Sequence, residues 1–266
     1  DNITGVEDGT AEHPFNTIQE GVDRTQINGM RKVYVFDAIG DYRENVQLFD
    51  SVALYGSGCK ILGAGSLSFG SGIHPTVDGY SKGPSITLAN NTWLSGFRIV
   101  NTEVPGHVEI PVPTVWGEVD ISRVGIYSPN KNNLTIACNR VEGNMHGGVL
   151  VNTDSLLAEI RDNEFSGNDQ EGLAILFAPA LFKGPGNGVA VNDLILNISG
   201  NIFSDNGDNG LVIDGDAYRT ATLTLTDNEA NRNGGFGVAA DVHASGDAVM
   251  DVMGLIADDN TGFDGL

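Results

Sequence analysis

The feature that most narrows what this chain can become is a ten-residue frame that recurs through its second half. The copies read NRVEGNMHGG from Asn139, NEFSGNDQEG from Asn163, NIFSDNGDNG from Asn201 and NEANRNGGFG from Asn228. A fifth, LIADDNTGFDG from Leu255, has Leu in the first slot, keeps Asn260 in the second and slips one residue to Gly265. Each of the first four carries Asn, a second Asn five places on and Gly four places later, so the pairs are Asn139/Asn144, Asn163/Asn168, Asn201/Asn206 and Asn228/Asn233. Anchors are spaced by 24, 38, 27 and 27 residues. A period in the twenties belongs to stacked repeats, in which each unit buries its apolar face only against its neighbours.

Upstream of each anchor, apolar and polar residues alternate. Leu134/Ile136, Ala158/Ile160, Leu196/Ile198, Leu223/Leu225 and Met250/Val252 are the inward candidates, separated by Thr135, Glu159, Asn197, Thr224 and Asp251. Period 2 marks a strand with one buried face. A second short apolar run follows each Gly, at Val149–Val151, Leu173–Ile175, Leu211–Ile213 and Val238–Ala240. Each coil therefore holds at least two strands around an Asn/Gly corner, where both residue types tolerate left-handed backbone. Stacked in register, Asn139, Asn163, Asn201 and Asn228 form one column, and Asn144, Asn168, Asn206, Asn233 and Asn260 a second. Amide side chains both donate and accept, so each column is expected to be a hydrogen-bonded ladder.

These Asn/Gly corners resemble the right-handed parallel β-helix family, the pectin-lyase-like superfamily. The chain's beginning carries the resemblance further, through Asp8–Thr10, Pro14–Phe15, Thr17–Gln19, Val33–Val35, Gly40, Tyr42, Glu44 and Gly56. The implied fold is all-β, a β-solenoid with an N-terminal amphipathic capping helix, whose stripe is Phe15, Ile18 and Val22 and whose first turn lies near Pro14. Such a helix would plug the open end of the solenoid. Residues 1–266 are expected to form a single domain: cap and first coils over 1–63, irregular coils over 64–133, regular coils over 134–266. Strands are expected at Ser85–Leu88 and Leu94–Val100. Aligning LSGF with the later ISGN places Phe97 where the first Asn column would run, so that column begins at Asn139. Residues 103–122 break the repeat with three Pro and Trp116 and read as a projecting loop; Phe177–Val189 reads as a second.

Composition limits the partners. Against 14 Lys+Arg stand 35 Asp+Glu, a formal charge of −21, which repels nucleic acid and anionic membranes and would repel polyuronates unless Ca²⁺ bridged the two. No apolar run approaches the ~18 residues that crossing a bilayer takes. Cys59 and Cys138 have no second ligand at zinc spacing; two buried free thiols are the first expectation, and a disulfide, which would suit an exported protein, the alternative.

For chemistry, VNTDS (Val151–Ser155) resembles the Asn-Thr-Asp motif of polygalacturonase-like hydrolases, with Asp154 as the implied acid. The Asp pair and Gly-His-Gly that should follow are missing; the next coil offers Asp162 and Glu164, and His146 precedes the motif. Lyases of the family need a Lys or Arg, and here Arg123, Arg140, Arg161, Lys183, Arg219 and Arg232 are scattered. Acidic residues crowd the later corners at Asp205, Asp208, Asp214, Asp216, Asp258 and Asp259, where Arg232 stacks between Asp205 and Asp259. Carboxylates at such corners can ligate Ca²⁺, although no stretch forms a complete Ca²⁺ loop. The expected role is a structural or adhesive module of an exported or cell-surface protein, stabilised by Ca²⁺, with a polysaccharide lyase, glycoside hydrolase or glycan-binding module as the alternative. The last copy stops where the next strand should start, at Leu266, which points to further coils or self-association at that end.

Overall fold

The computed structural model describes residues 7–59, 61–62, 68–114, 117–152, 155–177, 193–217 and 219–262. Three parallel sheets of eight, eight and seven strands run the length of the chain. Successive coils contribute one strand to each in turn, so the described residues make seven complete coils and two strands of an eighth. The fold is the parallel β-helix that the corners imply.

The strands before each anchor form the first sheet: Leu134–Ala137, Leu156–Arg161, Asp193–Ser199, Thr220–Thr226 and Ala248–Met253. Their inward candidates face the core as the alternation requires, and Ile136, Ile160, Ile198 and Leu225 are all buried. The runs after each Gly form the third sheet. Between them lies a strand that the alternation does not announce, seen at Arg140–Val141, Glu164–Ser166, Ile202–Ser204 and Glu229–Asn231. It is too short for a period to show, yet it buries Phe165 and Phe203, whose rings stack at 5.4 Å. Each coil thus has three strands rather than the minimum of two. The inward candidate Met250 is the exception to the packing rule: it is 46% exposed, because no further coil lies over the last described strand.

Both Asn columns are ladders. In the first, Nδ2 of Asn139, Asn163 and Asn201 donates to Oδ1 of the next Asn at 3.0 Å. In the second, Asn144, Asn168, Asn206 and Asn233 do the same at 2.9 to 3.0 Å, ending on Asn260. Phe97 heads the first column, its N–H donating to Asn139 Oδ1, and that column ends at Asn228 because Leu255 follows. The second column begins at Asn144, whose Oδ1 is buried with no hydrogen-bond partner among the described residues, while the fully buried Asn101 donates instead to the Gly83 and Val124 carbonyls.

One register differs from the sequence frame. Gly148 pairs with Leu173, not Gly172, so the turn after Asn144 is one residue shorter than its successors. The true glycine column is Gly125, Gly147, Gly172, Gly210 and Gly237; at Gly147 or Gly172 a Cβ would collide with the next coil's carbonyl oxygen.

The cap is α1, Ile18–Asn28. Thr17, not Pro14, caps it: Thr17 and Glu20 form a reciprocal capping box, and the Glu44 carboxylate accepts from the N–H groups of Ile18 and Gln19 at 2.8 and 2.9 Å. Ile18 and Val22 close the first end of the core. The expectation of free thiols is overturned: Cys59 and Cys138 form a disulfide. Cys138 lies in register over Gly96 and Gly56, and a Cβ at 96 would collide with the Gly56 carbonyl and press on the Cys59 N–H, so glycine there lets the coils approach closely. Leu94–Val100 is two strands, Trp93–Ser95 and Arg98–Val100, broken at Gly96, which adopts a left-handed φ of 82°. Residues 103–122 are more ordered than a loop: Pro111–Thr114 and Gly117–Asp120 pair as an antiparallel hairpin. Trp116, the 178–192 insertion with Lys183, Gly265 and Leu266 lie outside the described residues.

Candidate functional site

The hairpin interrupts the solenoid before the third-sheet strand Val124–Pro129, and residues 178–192, outside the described residues, follow its strand Leu173–Phe177. Val119 and Ile121 of the hairpin pack over Tyr127, Val149 and Val151 on the outer face of that sheet. At the hairpin's root, Arg123 is turned under the corner between the second and third sheets. Its guanidinium bridges Glu103 at 3.3 Å and Asp169 at 2.8 Å, and its Nε–H is buried without a partner among the described residues.

Beside it lies a buried pair. His146 Nδ1 is 2.6 Å from Glu171 Oε2, with His146 7% exposed. Asp208, on the next coil, is close enough to both for their charges to act on it. Burial by itself pushes the Glu171 carboxyl up, but the hydrogen bond and charge of His146 outweigh it and hold it below the ordinary glutamate range. Asp208 moves the other way, raised by partial burial and by the Glu171 charge, with His146 opposing. The two carboxyls are thus displaced in opposite directions from their ordinary values, each by its contact with the other members of the cluster and by burial. The backbone does not demand the pair, since the following coils place Asn209 and Phe236 at the same register as His146 and Glu171. Desolvating an ion pair costs several kcal/mol that packing alone would not require.

The sequence-derived candidates are distributed differently. Asp154 lies outside the described residues. Asp162 occupies a left-handed corner and accepts from Arg161, while Glu164 pairs with Arg140 at 3.1 Å; neither joins the His146 cluster. Asp205 is held by a double hydrogen bond from Arg232 at 2.7 and 2.5 Å, and Arg232 also feels Asp259, as the stacking order anticipates. Asp214 and Asp216 stand on the third sheet near Asp241 and His243; Asp258 and Asp259 share the last described corner. The six carboxylates therefore do not form one ligand set, and among the described residues no three His, Cys, Asp or Glu side chains converge as an ion site. Of the six, only Asp208 enters the cluster.

An aromatic row on the outer face of the first sheet is a different kind of object. Tyr34 and Tyr55 stack at 5.4 Å, Tyr55 meets Trp93 at 6.1 Å, and Arg161 lies 5.6 Å over the Trp93 ring. Tyr34 and Tyr55 stack face to face, Trp93 meets Tyr55 at a tilt of 51°, and Arg161 covers the Trp93 face, so the row is packed along the solenoid.

A family model described as a right handed beta helix region matches residues 119–249. Among solved structures, the A-module of the Azotobacter vinelandii mannuronan C-5 epimerase AlgE6 is 18% identical at a TM-score of 0.38, over 91% of this chain and 74% of that one. The AlgE4 A-module from the same organism is 16% identical at 0.33, over 97% and 92%. No curated protein matches the chain.

Proposed function

We propose, starting from the chain as a member of the right-handed parallel β-helix family, that it acts on a polysaccharide by general acid–base chemistry at the corner formed by His146, Glu171 and Asp208. The observation that carries this is the buried His146–Glu171 contact of 2.6 Å, with Asp208 near enough on the next coil to feel both charges. Glu171 fixes the imidazole through Nδ1 and leaves Nε2 as the nitrogen that exchanges a proton with substrate or water. Asp208, raised by partial burial and by the Glu171 charge, is the carboxyl of the corner assigned to the leaving oxygen. Arg123 orients the rim by holding Glu103 and Asp169. The formal charge of −21 favours neutral over anionic glycans. The Cys59–Cys138 bridge supports an exported or cell-surface setting, where disulfides persist.

The test is product formation from xylan, mannan, cellulose oligomers, alginate and pectate, by reducing-end assay and by absorbance of unsaturated products. The expected result is turnover of a neutral glycan that falls at least a hundredfold in His146→Ala and Asp208→Asn. Wild-type protein inert on the whole panel, or variants as active as wild type, overturns it; inert wild type would support the structural-module alternative.

A further inference from the structure

The corner that carries Asp208 on the third-sheet side has a second face, three residues earlier, on the second sheet. There a groove of about 510 Å³ runs across four coils, from Arg98 past Glu142 and Ser166 to Asp205, with Asp41 and Thr102 on its far wall. That volume lies within the range of ordinary ligand pockets. Its floor is formed by Gly143 and Gly167, and a Cβ on either would meet nothing within 4 Å.

These two glycines are not required by the backbone. They have φ of 66° and 67°, the left-handed conformation of every corner just before the second Asn, and the next three coils fill that position with Asp205, Arg232 and Asp259 at 60°, 56° and 55°. The chain therefore tolerates side chains in this conformation and omits them on two successive coils. A filled column, as at Asp205–Arg232, would close the groove.

The walls state the chemistry. Arg98 donates to Glu142 at 2.6 Å, and both remain partly exposed, at 40% and 28% of their side chains. The Arg98 guanidinium, the Glu142 and Asp205 carboxylates and the hydroxyls of Thr102 and Ser166 line it on coils about 4.8 Å apart. An extended chain of hydroxylated rings laid along the axis meets a donor or acceptor at each coil and rests its C–H faces on the glycine floor. Of the lining carboxylates, Glu142 is paired with Arg98 and Asp205 with Arg232, so it is the chain's formal charge of −21 that disfavours an anionic occupant.

We infer that this groove is a binding subsite for a neutral oligosaccharide segment. The inference rests on the polysaccharide reading, but its test does not use turnover. Cellohexaose, xylohexaose, mannohexaose and, as the anionic contrast, a hexuronate are titrated calorimetrically into wild type, His146→Ala, Gly167→Arg and Arg98→Ala, each checked for native circular dichroism. At least one neutral hexaose should bind wild type and His146→Ala equally, and at least tenfold more weakly to Gly167→Arg and Arg98→Ala. Arg98→Ala carries the test alone if Gly167→Arg fails to fold. The inference is overturned if no neutral hexaose binds wild type, if the hexuronate binds as tightly as the neutral chains, or if the folded groove variants bind like wild type. Binding retained in an inactive His146→Ala protein would separate the groove from the acid–base corner; binding retained alongside undiminished turnover would refute the corner and leave the groove.

Discussion

Replacing Asn201 by Leu asks how much one rung of the ladder contributes. Asn201 is fully buried. Its Oδ1 accepts from the backbone N–H and the Nδ2 of Asn163, each at 3.0 Å, and its Nδ2 reaches the carbonyls of Ile160 and Ser199 and Asn228 Oδ1. Most of these partners survive the change. Asn163 Nδ2 keeps the carbonyls of Ile136 and Arg161, and Asn228 Oδ1 keeps the backbone N–H of residue 201. The Asn163 N–H alone is left buried with nothing, at about 1–3 kcal/mol. The bulk of Leu adds about 1 kcal/mol of overpacking, and its own apolar burial offsets a similar amount. A net loss of about 2 kcal/mol is expected in guanidinium unfolding followed by circular dichroism, with faster exchange of the Asn163 amide. Asn201→Asp separates hydrogen bonding from size. It keeps an acceptor for Asn163 but turns a second carboxylate oxygen toward the carbonyls of Ile160 and Ser199. Its folded pKa is therefore raised, so this variant should be most stable at acid pH and lose stability as pH rises through that pKa. An unchanged midpoint for Asn201→Leu, with Asn163 as protected as before, would refute the ladder as a source of stability.

Further outcomes follow from other parts of the coil. A non-reducing peptide map should contain Cys59 joined to Cys138, and loss of that bridge across 79 residues should cost up to about 4 kcal/mol on the chain-entropy account; two free thiols by mass would refute it. Asp214, raised to about 6 by burial and by Asp241 and Asp216, binds its proton more tightly folded than unfolded, so stability should fall as pH rises from about 4 to 6. Solvent screening at this partly exposed site reduces the penalty to about 1 kcal/mol, which Asp214→Asn should recover at pH 7 and not at pH 3; equal effects at both would remove the explanation. At the last coil, Val249, Met250, Met253 and Ile256 are each 46–54% exposed, so sedimentation should detect association that Val249→Lys weakens; a strict monomer at tens of micromolar would contradict it.

The scaffold was largely legible in the sequence because solenoid order is local. Alternation at Leu134/Ile136 and its successors, with Asn at fixed offsets, determines which residues face inward and which stack. The strand after each first Asn was not legible, since two or three residues show no period. Nor was the disulfide, because sequence offers no means of knowing that a glycine separates Cys138 from the coil below. The acid–base corner stayed hidden for a specific reason. Counting from Asn144 and Asn168 sets His146 against Gln170, and only the shortened turn, with Gly147 over Gly172, brings His146 to Glu171. Asp208 stood out as one of many acids, and its neighbours on other coils gave it meaning. The groove was masked in the same way, since Gly143 and Gly167 look like ordinary corner glycines until Arg232 is found in the same left-handed conformation.

The central claim, that His146 holds the Glu171 carboxyl down against its burial while Asp208 beside it is pushed up, is tested most directly by carboxyl-carbon NMR titration of Glu171 and Asp208. Glu171 is expected to titrate below 4.5 and Asp208 above 3.8 in the wild type, and Glu171 to rise in His146→Ala, where only a backbone hydrogen bond still opposes its burial. Glu171 titrating at or above 4.5 with His146 in place would contradict it.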